Sequence, residues 1–231
     1  MSRTIIQFCL DASGSMLSLK ASTIEAFNAY WEELRSADPV WSGVGEPEML
    51  ATVRKFEGGV SVPMVTNVAP ANVPPLSASN YHPDGGTPLL DTAMDAILDA
   101  EASALPGDKV VVIIQTDGQE NASRRYKLAD LTRTIEQKKE AGWQFNFMGA
   151  GLDAYAQAHS LGLSSHDTMS VNLDDRGNTI SAYAATARRT RLYASGQVTN
   201  SHYTNEDRLS AGDTTTVPPI PPDPTKAPKT P

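Results

Sequence analysis

Three short stretches of this chain place oxygen-bearing side chains where an apolar run ends or a helical pattern begins. The stretch FCLDASGSM sets Asp11, Ser13 and Ser15 at alternate positions, with a glycine between the serines. Further on, Gly85-Gly86-Thr87-Pro88 precedes a helical pattern, and Thr116-Asp117-Gly118 follows the apolar run KVVVIIQ. A nucleophilic serine is one reading of the first stretch. Ser13 and Ser15 do not stand in G-x-S-x-G, however, and the four histidines (His82, His159, His166, His202) have no place in a triad. A phosphate-binding loop is another, but no G-x-x-x-x-G-K-[ST] is present. A hard divalent cation accounts for the pattern better, because Mg²⁺ takes oxygen ligands at about 2.1 Å and keeps several waters, which suits hydroxyls and water-bridged carboxylates. Hydroxyl ligands neutralise little of the ion's charge, so it would seek a further anionic oxygen from outside. The competing structural reading is that the hydroxyls cap helices and the aspartates satisfy turns.

These residues need elements to bring them together. The runs TIIQFCL and KVVVIIQ are nearly continuous apolar stretches rich in β-branched residues, as central parallel strands covered on both faces tend to read. Strands are expected at Thr4–Leu10, Met49–Phe56, Lys109–Gln115 and Phe145–Met148, with weaker ones at Val60–Val65 and Thr168–Val171. Between them, Ile24, Phe27, Trp31 and Leu34 recur at helical spacing, as do Leu90, Met94 and Ile97, then Leu128, Leu131 and Ile135. A last helical pattern covers Thr179–Ala194 and stops at Gly196. The alternation predicts an α/β fold: a Rossmann-like, doubly wound, mostly parallel central sheet with helices on both faces. Such sheets put ligands at the carboxyl ends of their strands, where Asp11 and Asp117 both fall.

Composition narrows the function classes. With 231 residues, one core and a tail are expected, a domain over 1–198 and a proline-rich, disordered tail over 199–231. A net charge of −8 argues against a nucleic-acid binder held by phosphate contacts. The single cysteine, Cys9, can form neither an intramolecular disulfide nor a cysteine zinc site and reads as a core residue. Neither a signal peptide nor an apolar stretch of membrane-spanning length is evident, so no membrane partner and a cytoplasmic location are expected. Asn121-Ala122-Ser123 fits a glycosylation sequon that carries no expectation without secretion.

The D-x-S-x-S of Asp11, Ser13 and Ser15, the threonine of GGTPL and the later T-D-G together resemble the metal-ion-dependent adhesion site (MIDAS) of von Willebrand factor type A domains. TIEAFNAYWEELR, GGTPLLDTAMDAI, TDGQENASRRY and GWQFNFMGAGLDA resemble free-standing bacterial members of that family, and the likeness spans Thr4 to Ser195. It implies that Ser13, Ser15 and Thr87 coordinate Mg²⁺, or Mn²⁺ in its place, by their hydroxyls, and that Asp11 and Asp117 act mainly through waters. It also implies that a carboxylate of a partner protein completes the shell. The expected function is then a Mg²⁺-dependent protein-binding module, an adaptor or regulator in a multiprotein complex, without catalysis. Two alternatives stand beside it. One is a metal-assisted hydrolase or phosphotransfer enzyme in which Glu120 or Asp84 activates water; the other is a structural or assembly protein of a phage particle or complex. Asp91 is expected to reach waters of the site or to cap, and Arg124 and Arg125 to be solvated. The loop Ala37–Pro47, which carries Trp41, and the proline-rich tail depart from the family pattern as further places for a partner.

Overall fold

The computed structural model describes residues 3–36, 47–150 and 153–219. Trp41, most of its loop and the end of the proline-rich tail lie outside the described residues. The first strand, β1 (Thr4–Ala12), is buried along its whole length. It pairs in parallel with β2 (Met49–Glu57) on one side and β4 (Lys109–Thr116) on the other. The sheet continues through β5 (Gln144–Ala150) and β6 (Thr168–Val171), both parallel, and ends on the other side in the antiparallel β3 (Val60–Val68), giving the order β3-β2-β1-β4-β5-β6. The sheet is the mostly parallel, doubly wound one expected, and each strand begins within a residue of its apolar run.

Helices cover both faces. On one, α1 (Lys20–Arg35) and α5 (Arg176–Ser195) pack together over the even-numbered side chains of β1, where Phe8 meets Phe27, Tyr30, Trp31 and Tyr183 at ring distances of 5.0–6.2 Å. The other face holds Ile5 and Cys9 under α2 (Leu89–Ser103), α3 (Leu128–Glu140) and the short α4 (Ala154–Ser160). Cys9 is fully buried, which pushes its thiol up to about 12, so it is the core residue expected. The α5 helix stops where Gly196 takes the left-handed conformation, φ 78°. No helix among the described residues is long and apolar enough to cross a membrane.

The expected boundary after residue 198 is corrected by the structure. From Thr199 to Pro219 the chain stays on the domain, forms α6 (Asn205–Ser210) and buries Ser201, Tyr203, Asp207, Arg208 and Val217. Apolar content is low there, and a buried polar network does the work instead. Arg208, 1% exposed, donates to the carbonyls of Tyr203, Ser165 and Thr168 and to the Tyr155 hydroxyl, which in turn donates to Asp213. Asp213 also accepts from the Ser170 backbone N–H at 2.9 Å. Asp207 is paired with both Arg188 and Arg189 at 2.5 Å. Each group is satisfied, so the segment can be buried without a large apolar surface.

Two outcomes follow for stability. Arg208→Met removes the guanidinium donor from the carbonyls of Tyr203, Ser165 and Thr168 and is expected to cost about 3 kcal/mol in urea unfolding at neutral pH. Burial pushes the Asp207 carboxyl up, but donors from Thr204 and the charge of Arg189 outweigh it and hold it below the usual carboxylate range. Its stabilising contribution is therefore complete above about pH 4 and is lost as pH falls through the depressed value. Urea titrations at neutral and acid pH are expected to show a smaller acid loss in Asp207→Asn than in the wild type.

Candidate functional site

The carboxyl ends of β1 and β4 lie side by side, so Asp11 and Thr116 meet. Asp11 is fully buried; its Oδ2 accepts from the Thr116 hydroxyl at 2.6 Å and its Oδ1 from the Ser13 N–H at 2.7 Å. The Tyr81 hydroxyl donates to its backbone carbonyl. Burial raises this carboxyl to about 6 against the pull of those hydrogen bonds, with the Asp117 charge adding to the rise. Ser13 begins a tight turn over Gly14–Leu17 that swings the Ser15 hydroxyl to 3.1 Å from that of Ser13 and 2.7 Å from Asp117 Oδ1.

Thr87 comes from a separate loop that is stitched to the first. Asp84 N–H donates to Ala12 O and Gly14 N–H to Gly85 O, both at 2.9 Å. Gly85 has φ 72°, and a Cβ there would stand 2.8 Å from Gly58 Cα, so glycine is needed both for the turn and for the approach. The loop after β4 then fixes Thr87 on both sides of its backbone: Asn121 Oδ1 accepts from Thr87 N–H at 2.8 Å, and Asn121 N–H donates to Thr87 O at 3.1 Å. The Thr87 hydroxyl makes no hydrogen bond among the described residues. A Cβ on Gly118 would lie 3.3 Å from Thr87 Oγ1 and 3.7 Å from Ser15 Oγ. That glycine leaves open the small space around which the hydroxyls gather, and Gln157 holds it by donating to Gly118 O at 2.8 Å.

All five residues singled out in the sequence (Asp11, Ser13, Ser15, Thr87 and Asp117) thus stand around one point. The sequence places Asn121 in a sequon and in the stretch TDGQENASRRY without giving it a role; its use as a clamp on Thr87 has no periodic signal and shows only in the contact of two loops. The acids flanking the site divide sharply. Glu120 accepts from the N–H groups of Ala122 and Ser123, the Ser123 hydroxyl and the N–H of Leu90, at 2.6–2.9 Å. Both its oxygens are committed to tying the loop to the start of α2. Asp91 is pushed up by burial, but backbone N–H groups of Arg124, Tyr126 and Arg125 outweigh that and hold it below the usual range. It is a loop anchor. Arg125 is exposed as expected and also pairs with Asp95 at 2.7 Å, whereas the exposed Arg124 has no side-chain partner among the described residues. Asp84 is exposed, with no hydrogen bond to its carboxylate among the described residues.

The donor set is one of oxygens. Among the described residues no three His, Cys, Asp or Glu side chains converge as a metal site. Two carboxylates and three hydroxyls suit a hard cation better than one preferring nitrogen or sulfur.

No protein-family model matches the sequence, and no curated protein does. Solved structures match the fold. A von Willebrand factor type A structure from Catenulispora acidiphila superposes with a TM-score of 0.54 over 82% of this chain at 16% identity. The chain has the von Willebrand factor type A fold. Proximal thread matrix protein 1 from the mussel byssus, in a structure with a zinc-occupied MIDAS motif, matches the type A fold here with a TM-score of 0.52 over 79% of the chain at 15% identity. The pilus adhesin SpaC from Lactobacillus rhamnosus GG matches with 0.61 over 82% at 12% identity. The chain spans 43%, 45% and 30% of these three proteins respectively, so the type A fold is what they share with it.

Asp91→Ala removes the acceptor of three successive backbone donors in the loop beside the site. Amide hydrogen exchange at Arg124, Arg125 and Tyr126 is expected to speed up by at least about tenfold. The exposed Asp84→Ala is expected to change unfolding free energy by no more than about 0.5 kcal/mol.

Proposed function

We propose that this type A domain is a metal-dependent protein-binding module. Ser13, Ser15 and Thr87 would hold a divalent cation by their hydroxyls, with Asp11 and Asp117 contributing carboxylate charge, and Mg²⁺ is the ion proposed, with Mn²⁺ as its substitute. The observation that carries the reading is that the Thr87 and Ser15 hydroxyls meet beside Gly118, with Ser13 and the Asp117 carboxylate joined to Ser15, and that the Thr87 hydroxyl makes no hydrogen bond among the described residues. The zinc reported in the byssus protein's MIDAS motif supports a divalent ion in a site of this kind. The all-oxygen donor set supports Mg²⁺ over zinc for this chain. Bound there, the ion would supply positive charge at the carboxyl edge of the sheet and so attract a carboxylate.

An acidic side chain of another protein is the proposed occupant of that edge, in an adaptor or regulatory role within a multiprotein complex. This chain's residues would prepare the edge for it. The Asp11 network keeps β1 and β4 in register, Asn121 keeps Thr87 facing inward, and the turn over Gly14–Leu17 leaves Ser15 exposed. We assign no catalytic step. Glu120, one candidate to activate water, has both oxygens filled by loop and helix donors, which supports that assignment.

Calorimetry with Mg²⁺, backed by Mn²⁺ water-proton relaxation, tests the ion. The wild type is expected to bind one ion, and Asp117→Ala or Thr87→Ala to weaken it at least about tenfold; equal binding by all three proteins would refute the site. Glutarate added to the ¹⁵N-labelled chain should shift amides around Gly118 with Mg²⁺ and not with EDTA. Magnesium-dependent turnover of phosphoesters, abolished by Asp117→Ala, would replace the docking reading by an enzymatic one.

A further inference from the structure

A groove of about 530 Å³ opens directly beside the candidate metal site. Ser15 and Asp117 form its near end, so whatever occupies the site also borders the groove. Leu19, Val171 and Leu173 give it an apolar strip beside the polar Ser18, Ser170 and Asn172, and Asp174 lies in the loop between β6 and α5. The Asp174 carboxylate is exposed and has no hydrogen bond or ion pair among the described residues. Its neighbours are already engaged: Asp175 accepts from Asn178 N–H as the cap of α5, and Arg176 is paired with Glu25.

A groove of mixed polar and apolar lining that begins at the proposed ion and reaches an anion without a partner among the described residues matches one kind of side chain. Lysine and arginine lay their methylene stems along apolar surface while the charged head stays in water or meets a carboxylate. A purely apolar side chain would use the apolar strip and leave Asp174 unanswered. An acidic one would meet both Asp174 and a chain of net charge −8.

We propose that the groove takes a lysine or arginine of the same partner segment whose carboxylate reaches the ion, with Asp174 as its counter-charge. The partner is then a mixed-charge segment, an acidic residue with a basic one close by. This inference rests on the docking reading above and adds to it the residue that selects among acidic partners.

The test uses the full ¹⁵N-labelled chain with saturating Mg²⁺ at low salt. The probes are capped Gly/Ser peptides bearing one aspartate, with lysine placed in turn at each neighbouring position, and the same peptides with norleucine or glutamate in place of lysine. Affinities come from amide shifts. At least one lysine placement is expected to bind about fivefold tighter than its norleucine counterpart. Asp174→Asn should remove that advantage without changing Mn²⁺ affinity, and Asp174→Lys should turn the preference toward the glutamate peptides. Equal binding of lysine and norleucine peptides in every placement overturns this inference and leaves the docking reading standing, as does an advantage that survives Asp174→Asn. If no aspartate peptide binds the Mg²⁺-loaded chain, the docking reading fails and this inference falls with it.

Discussion

One buried carboxylate organises the functional end of this molecule. Asp11 ends the central strand with no exposure to solvent, and a charged group in that position must be hydrogen-bonded or neutralised. Its two oxygens draw in the Thr116 hydroxyl from β4 and the Ser13 amide from the next turn, while its own carbonyl takes the Tyr81 hydroxyl. Two loops and two strands are thereby held at a common point. The serine hydroxyls stand where they do because the chain turns immediately after satisfying Asp11.

A division of labour among the acids follows. Glu120 and Asp91 spend their charge on backbone donors and make a rigid wall from a loop rich in polar residues. Asp117 and Asp174 keep oxygens facing the groove, and these are the ones open to an outside ligand. Sequence proximity does not distinguish the two groups: Asp117 and Glu120 are three residues apart. What separates them is whether backbone N–H groups of the loop or of a helix start lie within reach, as those of Ala122, Ser123 and Leu90 do for Glu120.

Much of this was legible in the sequence because β1 and β4 are covered on both faces and so read as unbroken apolar runs. Asp11, Ser13, Ser15 and Asp117 were legible because they follow those runs closely and strand ends in a parallel sheet share one edge, and Thr87 because it stands just before a helical pattern. The contacts that set the site were not. Asn121 reaches Thr87 across 34 positions, and Glu120 reaches Leu90 across 30, through loops whose composition says only that they turn. The segment beyond residue 198 misled for a physical reason. Tyr203, Ala211 and Val217 are too sparse to mark a core, and the pairing of Asp207 with Arg188 and Arg189 and the chain from Arg208 through Tyr155 to Asp213 that allow burial have no periodicity. Seven residues in α4 and six in α6 are likewise too few to show an amphipathic stripe.

The Arg208–Asp213 network also governs how the molecule can aggregate. An outermost strand normally offers a row of free N–H and C=O groups to any other extended chain. On β6 the outward Thr168 carbonyl is taken by Arg208 and the outward Ser170 N–H by Asp213, so side chains occupy the places a foreign strand would fill. At the opposite edge Pro63 stands within β3 and carries no N–H to donate. The sheet is therefore blunted against lateral growth at both ends. Association by strand addition is disfavoured, and contacts with other proteins fall to loops and side chains.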